Sequence, residues 1–170
     1  DANQALQNAR RVTNIDPNNP GAPYALAAMP ARIAIERGRW KEAAQLEPRS
    51  SKFLQVGAMT QFARALGAAR SGDAAAAEIS VQELARIVDG LKAAKNDYWA
   101  TEVEVQRLGA AAWTAYAKGS RDEALTLMRS TADLEDKSEK REGPPARLVP
   151  ARELLGEMLL EMNRPAEALK

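Results

Sequence analysis

Glu153, Glu157 and Glu161 fall four residues apart, so a helix carries them as one carboxylate stripe with neighbouring Cβ atoms about 5–6 Å apart. Carboxylates in that arrangement suit acid/base work or the binding of a hard cation. No glycine-bearing metal loop and no second catalytic cluster accompanies them, which favours the plainer reading of a solvated face or the acidic wall of a groove. The chain contains no histidine, which removes the commonest general base, the Ser/His/Asp relay and the usual zinc ligand. It contains no cysteine either, so thiolate metal sites, a cysteine nucleophile and disulfides are excluded. There is also no glycine-rich phosphate loop, dinucleotide fingerprint or zinc spacing, so no catalytic residue, no metal ligand and no cofactor is expected.

Charge and length narrow the partners. The 170 residues carry 24 Lys and Arg against 23 Asp and Glu, a net charge of +1, so no field of one sign draws in nucleic acid or an anionic membrane surface. No apolar stretch approaches the ~20 residues that span a bilayer, and membrane insertion of this segment is not expected. The chain opens at Asp1 without a basic and then apolar leader, which fits a bacterial cytoplasm or an exported, periplasmic location after removal of a signal.

Any site here must be positioned by helices. Alanine is abundant, β-branched runs are nearly absent, and Gly and Pro punctuate segments otherwise suited to helix. Val81, Leu84, Val88 and Leu91 recur at i, i+3, i+7 and i+10 between Asp73 and Lys95, the apolar stripe of a helix buried on one side. Ser120 with Glu123 reads as a capping box after Gly119, Ser71-Gly72-Asp73 as a similar turn, and Pro165 as a first helical position. Gly38, Gly72, Gly119 and Asn163 each precede an alanine by five residues, namely Ala43, Ala77, Ala124 and Ala168, with intervals of 34, 47 and 44 residues between them.

These turns, the first period and the Leu155-Gly156 pair resemble the tetratricopeptide repeat family, with Ala168 at its small position and Arg152 where the family carries tryptophan. The stretches Tyr24–Trp40 (YALAAMPARIAIERGRW) and Pro150–Leu169 (PARELLGEMLLEMNRPAEAL) are similar to segments of a group of bacterial tetratricopeptide proteins without an established activity. Relatives in that group often show histidines in the first stretch; Ala28 and Arg32 stand in the comparable places, so no histidine role carries over.

The resemblance implies an all-α, right-handed solenoid of antiparallel hairpins without β-sheet, in a single domain over residues 1–170. Residues 1–17 read as an orphan second helix, with Ala5, Ala9 and Val12 at its small and apolar positions and Pro17 in its closing turn. Hairpins are expected over 21–48, 51–95, 97–136 and 149–170, and the whole reads as an excised middle of a longer array. Residues 137–148 form a charged, Pro-rich loop, read as a solvated connector or as a lid or docking loop over the concave face.

The same register implies a partner-binding groove of Arg32, Glu36, Met59, Phe62, Arg70, Gln106, Trp113, Tyr116, Glu153, Glu157 and Glu161, with the arginines on one side and the glutamates as an acidic far wall. At helical spacing Phe62, Trp113 and Tyr116 read more often as core than as a binding platform, Trp40 as a packing residue on the first turn of its helix, and Trp99 either way. A non-catalytic module for an unidentified protein or peptide partner is the leading expectation. The alternatives are a small-ligand receptor or metal-assisted enzyme using the Glu153/Glu157/Glu161 stripe, and a structural spacer within a larger protein. The oligomeric state stays open.

Overall fold

A computed structural model describes residues 2–12, 15–16, 18–138 and 147–169. The expected turn at Pro17 and residues 139–146 of the charged connector lie outside the described residues. Among the described residues the regular structure is helical throughout: α1 (Ala2–Arg10), α2 (Gly21–Glu36), α3 (Trp40–Ala44), α4 (Leu54–Arg70), α5 (Ala74–Ala93), α6 (Asp97–Ala117), α7 (Arg121–Lys137), α8 (Ala151–Glu161) and α9 (Pro165–Ala168).

Five of the turns share one mechanism. Gly38, Gly72, Lys95, Gly119 and Asn163 all have positive φ, between 54° and 86°. After each, the next amide reaches back to a carbonyl of the preceding helix: Arg39 to Ala34, Asp73 to Ala68, Asn96 to Leu91, Ser120 to Ala115 and Arg164 to Leu159, at 2.8–3.0 Å. This is the Schellman arrangement, which satisfies carbonyls left open at a helix end, and glycine adopts its left-handed residue without steric cost. Lys95 does the same work with a Cβ in place and had no glycine to announce it. Asp73 caps α5 through the Ala76 amide at 2.9 Å. The Ser120–Glu123 capping box is not formed: Ser120 occupies the N-cap of α7, but its side chain makes no cap hydrogen bond.

The helices pack in an alternating order. α2, α4, α6 and α8 touch one another in succession, whereas α3, α5, α7 and α9 touch only helices adjacent in the chain. α4 lies at the centre and is nearly enclosed, with Met59, Phe62 and Leu66 each at most 1% exposed. Val81, Leu84, Val88 and Leu91 are buried as the stripe requires, and so are Ala43, Ala77 and Ala124; Ala168 packs on the core while half-buried. At Gly67 the backbones nearly meet, since an added Cβ would lie 2.4 Å from the Ala44 nitrogen and 2.5 Å from the Trp40 oxygen. That approach fixes where the Trp40 ring can sit. α1 ends at Arg10, so Val12 falls beyond it and is 42% exposed instead of serving as an apolar position of that helix. No described helix is long and apolar enough to cross a membrane.

Candidate functional site

The candidate residues gather around two arginines. The first, Arg70, ends α4 one turn beyond Gly67, so the close approach of α3 lays the Trp40 ring over its guanidinium at 4.3 Å. On the other side the Trp113 ring of α6 lies 4.2 Å away, and Tyr116 meets Trp113 edge-on at 5.4 Å. The open edge of the guanidinium donates to Glu157, and to Glu161 at 2.6 Å, both on α8. A planar cation between two ring faces gains from both quadrupoles, and its fork can serve two carboxylates one turn apart.

The second, Arg147, is carried by the connector that leads into α8. Its Nε donates to Glu102 Oε2 at 2.9 Å, and its Nη2 to Glu102 Oε1 at 2.6 Å and Ser138 Oγ at 2.7 Å. Its own carbonyl accepts from Arg32 of α2 at 2.7 Å. Glu135 of α7 faces the same guanidinium, with Oε1 3.4 Å from Nε, while its Oε2 accepts from the Ala151 amide at 2.8 Å. That bond caps α8 from outside, because Pro150 at its N-cap has no acceptor side chain. Leu148 is 3% exposed, and Arg147 and Val149 lie over Phe62 of α4 and Gln106 of α6 with only about 10 Å³ of free space between them.

Burial is the main cause that raises the Glu135 pKa above its ordinary value; Glu102 and Asp136 push the same way, while the Ala151 amide and Arg147 oppose. Nearby, the Tyr24 ring packs against Trp99 at a 43° tilt with centroids 5.5 Å apart, and burial holds its phenol well above the usual range.

Against the expected groove the structure makes two corrections. Met59, Phe62 and Trp113 are each 1% exposed, so they are core and have no surface to offer a partner, for the ordinary reason that a large apolar side chain gains most by full burial. Arg70 does not face an acidic far wall across a gap; it is bound to Glu157 and Glu161, and only Glu153 of that stripe stays unengaged by it and exposed. Arg32, half-buried, and exposed Glu36 pair across one helical turn at 3.5 Å. Gln106 is half-buried with its amide 3.8 Å from the Met59 sulfur, and Tyr116 is half-buried beside Trp113.

Glu102, Glu135, Arg147 and Leu148 were not expected as a site. A signal for two of them existed. Glu135 continues the stripe of Leu125, Met128 and Ala132, and Glu102 the stripe of Val105, Gly109 and Ala112, which places a carboxylate where a core residue belongs. Among the described residues no group of three or more His, Cys, Asp or Glu is arranged to hold a metal ion. No family model, no curated protein and no solved structure matches this chain.

Proposed function

We propose that this chain is a non-catalytic interaction module, a tetratricopeptide-like array of helical hairpins whose layer of α2, α4, α6 and α8 receives a protein or peptide partner. The observation that carries the reading is the alternation of contacts, in which every second helix touches its counterparts and the intervening helices touch only their chain neighbours. In a stack of hairpins that order puts one set of helices along an inner face and the other outside. The recurrence of one cap at Gly38, Gly72, Gly119 and Asn163 supports the same unit being used repeatedly.

The inner layer also bears the chemistry that peptide recognition needs. Arg32 bonds the main-chain carbonyl of the chain's own Arg147, and Glu102 takes both prongs of that residue's guanidinium, the two kinds of contact that a partner peptide would use. The receptor or metal-assisted reading is weaker because Arg70 already engages Glu157 and Glu161. The roomier cavity beside α8, about 610 Å³, is lined by Arg152, Leu155, Gly156 and Leu159, which fall on a different face of that helix.

The test is a peptide library screened against the whole chain at low and physiological salt, repeated with Arg32→Glu and Glu102→Gln. Binders whose affinity falls with either substitution support the module. Binders indifferent to both place the contact elsewhere, and a library without binders, together with a small molecule that strongly stabilises the fold, replaces the module with a receptor.

A further inference from the structure

Resting on the interaction-module reading, we infer that Arg147–Val149 occupies in cis the seat of an extended partner segment, one in which an arginine is followed by a leucine-sized aliphatic residue. Partner binding and release of this connector are then one competitive exchange.

The seat is read from what it already holds. Residues 147–150 are non-helical, and Pro150 is extended with φ −62° and ψ 143°, as expected for a chain that must lie across helices without joining one. A side chain of the receiving layer, Arg32, bonds the connector's main chain, a contact indifferent to which residue stands there. Selectivity comes from the next two contacts. The parallel pair of bonds to Glu102 fits a guanidinium fork and not a lysine ammonium, with Glu135 beside it adding negative charge. Leu148 then enters the core at 3% exposure, which sets the size of the apolar slot.

The cavity that Arg147 and Val149 share with Phe62 and Gln106 has only about 10 Å³, about the room of one water, so the seat itself is already filled. An incoming peptide must take its place. Vacating the seat without replacement leaves two largely buried carboxylates with no cation, so exchange for another arginine is favoured over simple opening. Because the connector is joined to α8, it competes at an effective concentration on the order of mM, which keeps a free peptide's affinity for the native chain low.

The experiment titrates an acetylated, amidated Arg-Leu-Val-Pro peptide into the whole chain and into the whole chain carrying Arg147→Ala and Leu148→Ala. The vacated variant is expected to bind at least about tenfold more tightly than the native chain, since its internal competitor is gone. Adding Glu102→Gln should abolish the gain, and a Glu-Leu-Val-Pro peptide should bind neither protein. Where the double variant does not fold, Arg147→Gln alone takes its place, and amide exchange on the native chain gives a second reading: saturating peptide should speed exchange at Leu148, Val149 and Ala151. Equal binding by native and vacated chains, or unchanged exchange at those amides, overturns the inference. If other library peptides still bind and depend on Arg32 or Glu102, the module stands without its cis competitor; if no peptide of any sequence binds, both fall.

Discussion

Arg70 and Arg147 each tie four elements together, yet they do so in opposite surroundings. Arg70 belongs to a helix, is walled by two indole rings and reaches out to carboxylates that are 36% and 40% exposed. Arg147 belongs to a connector and sits between carboxylates that are 10% and 5% exposed. Between them they hold α8 at both ends: Glu135 supplies negative charge at its N-terminus, and Arg70 positive charge near its C-terminus, the two signs its dipole favours. The contrast teaches where charge is indispensable. Rings and half-exposed glutamates survive the loss of a cation, because ring faces carry no net charge and water reaches the carboxylates. Glu102 and Glu135 do not, because neither can be resolvated in place.

The largest expected effect breaks the comparison at the connector. Arg147→Ala should cost about 3–5 kcal/mol, the usual penalty for leaving a buried ionic partner alone. Arg70→Ala should cost about 2 kcal/mol, from two cation–π contacts and two partly solvated ion pairs. Urea midpoints of the two variants, converted with a shared slope, decide the matter. Equal costs would mean that the carboxylates around Arg147 reach water more easily than their burial indicates.

Double-mutant cycles sharpen the same point at a smaller scale. The coupling between Arg147 and Glu102 should be about 2 kcal/mol, and that between Arg70 and Glu161 about 0.5 kcal/mol, as befits a buried and a half-exposed pair. High salt should erase most of the second and little of the first, since screening acts on charges that water surrounds. A larger coupling at Glu161 would show that the two tryptophans exclude water from that edge.

The same contrast governs how much could be read in advance. Helices, turns and the buried stripe of α5 follow from local rules, because a left-handed glycine or a 3.6-residue period declares itself within one segment. Arg70, Trp113, Glu157 and Glu161 were all singled out as one groove, but their mutual pairing was not, since it depends on where the Gly67 approach places Trp40. Arg147 falls in a charged segment whose composition alone announces no partner. Its partners lie 45 residues away at Glu102 and 115 away at Arg32, distances over which periodicity carries no information. The full burial of Met59 and Phe62 at groove positions has a related cause. A repeat register fixes the direction a residue points but not whether the chain later covers it, and here Val149 comes back over Phe62.

The smallest expected effect is a slope with pH at the Arg147 site, opposite in sign to that of Glu167 on α9. Burial raises the Glu135 pKa above its ordinary 4.5, so the folded chain holds that proton more tightly than the unfolded one. Its contribution is therefore fully present below 4.5 and is lost as pH rises through the raised value. Glu167, lowered first by its bond from Arg164, works the other way, and its contribution is lost as pH falls below the ordinary value. Glu135→Gln keeps an oxygen to accept the Ala151 amide and removes the ionisation. Compared with the native chain by urea denaturation from pH 4 to pH 7, the Gln variant should gain stability relative to it steadily as pH rises. A gap between Glu135→Gln and native that stays level across this range would mean Arg147 compensates the carboxylate in full, and the two arginines would then differ in burial alone.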